Sequence, residues 1–233
     1  MFLSRIKEFL KELRGGSREL LWAQIWNDTR RGIEWLGDDF GVSPGRWAVG
    51  YDYIYVMTRV LEEIRPHKVL DIGLGISTSL ISEYFDYYKY VDGEHIVVEH
   101  DSRWVEVYTN RHKLSNSTMI KQRKLVKKNQ CYMYDNFSDL VYGKKFNVIS
   151  IDGPFGGTGR YSRIDILTQI PDILDNEFVI VMDDMQRLGE QNTFAEVQSI
   201  LKQHGIAYAA GIYAGKKAVG VIVSANNKFI CTM

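Results

Sequence analysis

The stretch VLDIGLGIST, residues 69–78, joins an apolar run to a glycine-rich turn that is followed by two hydroxyl side chains. The apolar run predicts a short buried strand over residues 68–73, and the residues after the turn predict a helix that begins near Ser77. Gly73 and Gly75 leave room for a ligand to approach the backbone closely. A single glycine-rich turn is weak evidence for a cofactor site, so the surrounding sequence must decide what this turn binds.

Downstream of this turn, strand-like and helix-like segments alternate, which predicts an α/β domain with a mostly parallel sheet and helices on both faces. The last two β runs, 206–214 and 217–225, are joined by a short link and predict a hairpin, so the final strand should be antiparallel. The other predicted strands lie at 68–73, 95–100, within 118–126, 146–152 and 178–184. The predicted helices lie at 77–88, up to about 112, at 160–174, and at 192–205 with Asn192 or Thr193 as N-cap.

Residues 1–65 have the pattern of a helical extension that precedes an α/β domain at 66–233. A first apolar stripe ends before the sequence GGS at 15–17, and further helices are predicted at about 17–36 and 49–64. The first stripe could mediate a homo-oligomer, lie on a membrane surface, or pack on its own domain. It consists of Phe2, Leu3, Ile6, Phe9, Leu10 and Leu13.

The composition excludes several classes of protein. The 233 residues carry 29 basic and 29 acidic side chains, and this zero net charge gives no general attraction to nucleic acid. The two cysteines have no metal-binding spacing and suggest a reducing compartment, so we expect a cytoplasmic location. No apolar run is long enough to predict a transmembrane helix, and the first residues do not resemble a secretory signal.

Acidic side chains follow four of the five predicted parallel strands. Because the carboxyl ends of parallel strands meet at one edge of a sheet, where ligands bind, we expect these side chains to lie close together. Each could instead cap the helix that follows it, but chance hardly gives all four. The acidic residues are Asp71, Glu99, Asp152, Asp183 and Asp184.

Two cofactors fit a glycine turn with an acid after the next strand. NAD requires a third glycine where Thr78 stands, and Asp71 would repel its pyrophosphate. S-adenosylmethionine carries an ammonium and a sulfonium, which suit an acid at the strand end, and Glu99 could accept hydrogen bonds from its ribose hydroxyls. The residues therefore favour S-adenosylmethionine over NAD.

With these residues and the closing hairpin, the sequence over about 66–225 resembles the class I S-adenosylmethionine-dependent methyltransferases. The stretch IDGP, at 151–154, is similar to polysaccharide O-methyltransferases that methylate glucuronic acid. The resemblance implies a Rossmann-like methyltransferase sheet and methyl transfer to a hydroxyl of a sugar, polysaccharide or other small polar acceptor. The cofactor-binding residues then expected are Asp71, Gly73, Gly75, Ser77, Thr78, Glu99 and Asp135.

The acids after the fourth and fifth strands suggest how an acceptor would be activated. Asp152, Asp183 and Asp184 form an all-oxygen set that suits Mg²⁺ or Mn²⁺, and metal-dependent O-methyltransferases carry acids at matching positions. Asp152 and Asp183 are thus the catalytic candidates, although no side chain is assigned as general base. Arg160 and Arg163 are candidates for binding an acidic substrate group. An NAD-dependent oxidoreductase and a non-catalytic interaction module remain as alternatives.

Overall fold

The computed structural model describes residues 2–43, 48–128, 130–156 and 159–232. A seven-stranded sheet in the order β3-β2-β1-β6-β7-β9-β8 forms its centre, and β4 and β5 make a separate antiparallel hairpin. The strands are β1 (Lys68–Ile72), β2 (Glu94–Glu99), β3 (Thr118–Gln122), β4 (Leu125–Lys128), β5 (Cys131–Tyr134), β6 (Phe146–Ile151), β7 (Leu174–Met182), β8 (Tyr208–Tyr213) and β9 (Val219–Ser224). The helices are α1 (Phe2–Arg30), α2 (Tyr51–Ile64), α3 (Ile76–Tyr88), α4 (Ser102–Thr109), α5 (Phe137–Val141) and α6 (Leu188–Gln203).

The pairing confirms the predicted sheet. β1 pairs in parallel with β2 and β6, and β6 pairs in parallel with β7. β9 lies between β7 and β8 and is antiparallel to both neighbours. Because β9 runs against β7, Gly220 near its start faces Met182 at the end of β7. The residues just before β9 therefore lie at the carboxyl edge of the parallel strands.

Helices cover both faces of the sheet, as predicted, because apolar residues on adjacent positions of each strand point to opposite sides. One face carries Val69, Val148 and Val179 and packs against α1, α2 and α3. The other face carries Leu70, Ile149 and Ile180 and packs against α5, α6 and the segment at 166–173. Two hydrophobic cores thus hold the sheet between layers of helix.

The N-terminal helices share one hydrophobic core with the sheet. Trp22 and Trp26 of α1 are 4% and 2% exposed and belong to the same core as the valines of the sheet. The predicted break at GGS is wrong, because α1 continues through Gly15 and Gly16 as one helix of 29 residues. The packing of the tryptophans farther along α1 stabilises the helix enough to carry both glycines.

Two other local predictions are wrong, and one element has no counterpart among the predictions. Residues 160–174 hold only a short 3₁₀ turn at Asp165–Thr168, because Arg163 has a left-handed backbone with φ 55°. The hairpin of β4 and β5 was not predicted. α6 begins at Leu188 with Arg187 as N-cap, earlier than the predicted N-cap at Asn192 or Thr193. Thr193 instead lies inside the helix, where its hydroxyl donates to the Ser162 carbonyl. Its predicted end is confirmed by Gly205 at φ 67°.

Within the described residues, none of the helices combines the length and the apolar character that crossing a membrane requires.

Candidate active site

The glycine turn after β1 packs directly against the loop after β6. Gly73 has φ 114°, a conformation that favours glycine, and a Cβ there would lie 2.9 Å from the Gly153 nitrogen. The turn is held from the other side by β2, because the Leu74 amide donates to Glu99 Oε2 at 3.0 Å. The two glycines therefore bring three strand ends together at one edge of the sheet.

Asp71 stabilises this turn from beneath. Its side chain is fully buried, and its two oxygens accept hydrogen bonds from the Thr78 and Ser150 hydroxyls, each at 2.5 Å. Thr78 Oγ1 in turn accepts a hydrogen bond from the Gly75 amide at 3.2 Å. Ser77 is also buried, at the start of α3. Asp71, Ser77 and Thr78 thus lie behind the turn, where they shape its backbone.

Glu99 faces the ligand side of the turn. Its Oε1 accepts hydrogen bonds from the His100 and Asp101 amides at 2.6 and 2.9 Å and lies 2.7 Å from His100 Nδ1. Burial works to raise the pKa of Glu99, but these hydrogen bonds and the one from Leu74 outweigh it and hold the pKa below its usual value. Glu99 is therefore an ionised acceptor, and Oε2 retains room for a further donor.

A cavity of about 540 Å³ lies at this carboxyl edge. It extends from the glycine turn to the acids that follow β6 and β7, a size that suits a small-molecule cofactor. Its lining residues are Gly73, Leu74, Glu99, His100, Asp101, Trp104, Tyr134, Asp152, Gly153, Pro154, Phe155, Arg163, Asp184, Arg187 and Lys217.

Aromatic side chains form one wall of the cavity beside Glu99. The rings of His100 and Phe155 lie 5.4 Å apart, and those of His100 and Tyr134 lie 6.4 Å apart. Trp104 is fixed by a 2.8 Å hydrogen bond from its indole nitrogen to the Leu74 carbonyl. Asp135, which the sequence suggested, is not among the lining residues, whereas its neighbour Tyr134 is. This wall suits a flat heteroaromatic ring that lies next to the ionised carboxylate of Glu99.

Three carboxylates converge at the opposite end of the cavity. Asp152, at the end of β6, and Asp183 and Asp184, at the end of β7, each place an oxygen within 4.8 Å of the others. Asp183 is fully buried, and neither of its carboxylate oxygens has a hydrogen-bond partner among the described residues. Three of the five acids predicted to converge therefore lie together, whereas Asp71 lies behind the glycine turn and Glu99 at the other end of the cavity.

Three cationic side chains contact these carboxylates. Arg163 Nη2 lies 2.6 Å from Asp184 Oδ2 and 3.2 Å from Asp152 Oδ1. Arg187 Nη1 lies 2.9 Å from the same Asp184 oxygen, and Lys217 Nζ lies 3.7 Å from Asp183 Oδ2. The cluster is therefore an ion-pair network and not a bare acidic site.

The network separates the acidities of its members. Burial and the neighbouring Asp183 raise the pKa of Asp152 well above its usual range, against the effect of Arg163. The pKa of Asp183 is raised by burial and by Asp184. Burial alone would raise the pKa of Asp184, but Arg163, Lys217 and Arg187 lower it below the usual value. Asp184 is thus the member held most strongly in its ionised form, whereas burial and Asp183 favour a proton on Asp152.

Solved structures of similar shape share this architecture at low sequence identity. A protein from Klebsiella pneumoniae assigned as an O-methyltransferase superposes with a TM-score of 0.55 and 10% identity, over 88% of this chain and 98% of that one. The O-methyltransferase TomG from Streptomyces achromogenes, in complex with SAM, gives a TM-score of 0.51 and 9% identity over 80% and 82%. The chain has the class I methyltransferase fold. An O-methyltransferase from Bacillus cereus in complex with SAH gives a TM-score of 0.50 and 11% identity, over 89% and 90%.

Comparisons of sequence alone find no relative. No protein-family model matches the chain, and no curated protein matches it significantly. The methyltransferase fold is therefore recognised from the structure, and the chemistry of the site must be argued from its own residues.

In this methyltransferase fold, the predicted metal site does not fit a divalent ion as arranged. Asp152, Asp183 and Asp184 offer the oxygen ligands that Mg²⁺ or Mn²⁺ prefers. An ion bound to all three at about 2.1 Å would lie within a few ångströms of the Arg163 guanidinium and the Lys217 ammonium. Those two side chains would repel it strongly in a buried site.

The two predicted substrate arginines lie in different places. Arg163 lines the cavity, but its side chain is 2% exposed and already paired with carboxylates, so it has little freedom to bind a substrate group. Arg160 is exposed, with its guanidinium carbon 5.3 Å from the centre of the Tyr161 ring, and it is not a lining residue. Arg163 therefore lies at the cavity but is paired with carboxylates, and Arg160 lies outside the cavity lining.

Sequence reasoning missed Lys217, Arg187, His100 and Phe155. Lys217 lies two residues before β9, and the predicted antiparallel pairing of that strand would have brought it to the carboxyl edge. Arg187 follows Asp184 by three residues at the start of α6, one turn along the chain. No signal in the sequence distinguishes His100 or Phe155 from ordinary surface or loop residues.

Proposed function

We propose that this protein is an S-adenosylmethionine-dependent methyltransferase. The observation that carries the proposal is the position of Glu99, an ionised acceptor in a cavity that also contains the glycine turn and the acid cluster. The cavity has a cofactor end at Glu99 and a reaction end at Asp152. Two neighbours of the same fold, TomG and the Bacillus cereus enzyme, are complexes with SAM and SAH, which supports the choice of cofactor.

In this proposal the ribose of the cofactor lies against Glu99 Oε2 and the adenine against the aromatic wall of His100, Tyr134 and Phe155. The Gly73 and Leu74 backbone approaches the rest of the cofactor. Gly75, Ser77, Thr78 and Asp71 contribute indirectly, because they fix the conformation of the turn. Asp135 follows Tyr134 in the chain, but its side chain does not line the cavity and has no role in this proposal.

The proposed reaction transfers the methyl group to a hydroxyl of the acceptor. The acceptor oxygen forms the new C–O bond, the C–S bond breaks with its electron pair going to sulfur, and the hydroxyl proton passes to a carboxylate. Asp152 is the proposed proton acceptor, since its carboxylate borders the cavity and is 19% exposed. In its ionised form, its raised pKa makes it a stronger base than an ordinary aspartate. Asp183, fully buried behind it, strengthens Asp152 as a proton acceptor, because it raises the pKa of Asp152.

We propose a sugar, a polysaccharide or another small polar molecule with a hydroxyl group as acceptor. The reaction end carries charged and hydrogen-bonding groups, with Arg187 44% exposed at its mouth. The zero net charge gives no support for nucleic acid as a substrate. Divalent-metal assistance, predicted from the acids alone, is left out of the proposal, because Arg163 and Lys217 contact the same oxygens.

Three sequence-based predictions stay predictions. The domain boundary at 65/66 falls between α2, which ends at Ile64, and β1, which begins at Lys68. A homo-oligomer through the N-terminal helices would use apolar residues of α1 such as Phe9 and Leu13, which are 60% and 51% exposed. A cytoplasmic location rests on the cysteine content.

The proposal is tested by calorimetric titration of S-adenosylmethionine and S-adenosylhomocysteine into the wild type, Glu99→Gln and Glu106→Gln. Glu99→Gln should weaken binding by about 10- to 100-fold, because it removes a charged hydrogen-bond acceptor. Glu106→Gln makes the same change on the exposed side of α4 and should bind like the wild type. Binding of NAD instead would support an oxidoreductase, and binding of neither cofactor would support a non-catalytic module.

A further inference from the structure

We propose that Arg163 and Lys217 take the place of a divalent cation in the acid cluster, so that methyl transfer at this site proceeds without a metal ion. The part concerning methyl transfer rests on the proposed function. The part concerning the cations rests only on the contacts of the cluster and can be tested separately.

Arg163 is held in a buried position beneath the acid cluster by contacts with backbone carbonyls and carboxylates. Its Nη1 donates to the carbonyls of Ile151 and Asp183, at 3.4 and 3.2 Å, which are the backbone ends of β6 and β7. Its Nη2 reaches Asp184 and Asp152, and its Nε lies 3.9 Å from Glu190 Oε1. With a side chain 2% exposed, this guanidinium lies where the two acidic strand ends meet. A fixed cation thus already joins the groups that a metal ion would bridge.

Lys217 approaches the same acids from the β8–β9 turn. Its Nζ donates to the Ala48 carbonyl at 2.6 Å and lies 3.7 Å from Asp183 Oδ2 and 4.0 Å from Asp184 Oδ1. Its side chain is 16% exposed, so solvent screens these interactions only in part. Arg163 and Lys217 therefore contact the cluster from two different segments of the chain.

The charges of the cluster nearly balance without an added ion. Four carboxylates, of Asp152, Asp183, Asp184 and Glu190, face three cations, Arg163, Arg187 and Lys217. With every group ionised the formal charge is −1, and a divalent ion would change it to +1. Since three of the four carboxylates are buried and that of Asp152 is 19% exposed, this excess of positive charge is poorly solvated. Arg163 acts here as a positioning residue that orients Asp152 and Asp184.

The test is titration of Mn²⁺ followed by electron paramagnetic resonance, on the wild type, Arg163→Met, Arg163→Lys and Arg160→Met. The wild type should show no binding to the cluster below about 1 mM, a weak-affinity limit. Arg163→Met removes the buried charge and should bind Mn²⁺ at least about tenfold more tightly than the wild type, because the carboxylates lose their counter-charge. Arg163→Lys keeps the charge, and Arg160→Met changes an exposed arginine, so both should behave as the wild type.

Binding of one Mn²⁺ to the wild type at micromolar concentration, lost in Asp183→Asn, would overturn the proposal. If Mn²⁺ binds the wild type and Asp183→Asn equally well, the ion lies outside the cluster, and this result agrees with the proposal. If Arg163→Met does not fold, as judged by circular dichroism, the wild-type titration and Asp183→Asn decide the question alone.

Titration of S-adenosylmethionine with and without a chelator distinguishes failure of this proposal from failure of the proposed function. Equal affinity in both agrees with a metal-free site, whereas no binding in either overturns the proposed function and leaves the Mn²⁺ result valid.

Discussion

At the scale of single residues, the acid of the glycine motif has a different task from the one its position suggests. Asp71 is buried and accepts hydrogen bonds from Thr78 and Ser150, and Tyr53 lies 2.8 Å from Ser150 Oγ. This chain of hydroxyls runs from α2 to the first turn of α3. The backbone of the turn is therefore held by a buried polar network, in which each missing partner leaves another group unpaired.

Thr78→Val tests this network with little change of side-chain shape. It leaves Asp71 Oδ2 and the Gly75 amide without the Thr78 hydroxyl, and should lower the free energy of unfolding by about 1 to 3 kcal/mol. Urea denaturation measures the change. Thr109→Val, the same substitution at an exposed position on α4, should change the free energy by less than about 0.5 kcal/mol. Equal effects at both positions would contradict the role given to Thr78.

The residue types at the strand ends could be predicted from the sequence, but their partners could not. Asp152 and Asp184 follow buried apolar runs, and parallel strands bring their ends together. The guanidinium between them comes from Arg163, whose loop adopts a left-handed backbone where the pattern predicted a helix. Pairing across distant segments depends on such loop conformations, which local periodicity does not report.

At the scale of elements, α2 places an acidic side chain close to Asp183 of the acid cluster. Asp52, in the first turn of α2, is fully buried, and a Cβ on Gly215 would lie 1.8 Å from its Oδ2. Burial raises the pKa of Asp52 to about 7, with Asp183 and Glu19 adding to the effect. The extension and the β8–β9 turn thus meet at a carboxyl group that is protonated in the folded protein under mildly acidic conditions.

This acid should make the stability depend on pH. Between about pH 4 and pH 7 the folded protein keeps a proton on Asp52 that the unfolded chain has lost, so the free energy of unfolding falls as pH rises and levels off above pH 7. The difference in pKa limits this loss to at most about 4 kcal/mol. Asp52→Asn should flatten the pH profile of the free energy of unfolding. Urea denaturation between about pH 4.5 and pH 8, a range that spans the titration of Asp52, measures this profile. A profile as steep as that of the wild type would contradict the assignment.

The tryptophans of α1 should anchor the extension. Trp26 is 2% exposed, and its indole nitrogen donates to Thr58 Oγ1 of α2 at 3.3 Å. Trp26→Ala should cost about 3 to 5 kcal/mol of unfolding free energy, because it empties part of a core shared with the sheet. Leu20→Ala, on the same helix but 73% exposed, should cost less than about 0.5 kcal/mol. Denaturation with a separate early transition for α1 would contradict a shared core.

The existence of helices in the extension could be predicted, but the continuity of α1 could not. The sequence GGS has the low helix propensity of a linker. What carries the helix across Gly15 and Gly16 is its packing farther along, where Trp22 donates a hydrogen bond to the Ala214 carbonyl at 3.1 Å. Tertiary contacts of this kind override local propensity, and they become visible only when the fold is known.

At the scale of the whole molecule, cofactor binding should stabilise the protein by mass action. S-adenosylhomocysteine at 100 times its dissociation constant adds about 2.7 kcal/mol if it binds only the folded state. For a chain of this length the midpoint of thermal unfolding should rise by about 5 to 10 °C. Differential scanning fluorimetry measures the shift, and NAD at the same concentration should give none. A shift with NAD and none with S-adenosylhomocysteine would contradict the proposed cofactor.

The class of fold could be predicted because its signals are periodic and long. Alternating strands and helices predict a parallel sheet, and the hairpin at the end predicts the antiparallel strand that β9 provides. The strand order could not be predicted with the same ease, because β9 inserts between β7 and β8 although it comes last of the three in the chain. That insertion is also what brings Lys217 to the acids.

Because β9 is the last strand in the sequence, it is also the last strand to be synthesised. A chain leaves the ribosome N-terminal end first, so Asp152, Asp183 and Asp184 emerge well before Lys217 and the strand that follows it. Until the final hairpin arrives, β7 has a free hydrogen-bonding edge, which is open to pairing with other chains. A nascent chain that stalls shortly before its end would therefore expose the unpaired edge of β7 beside carboxylates that lack Lys217. Such an intermediate is prone to aggregate, and we expect chaperones to bind it during synthesis.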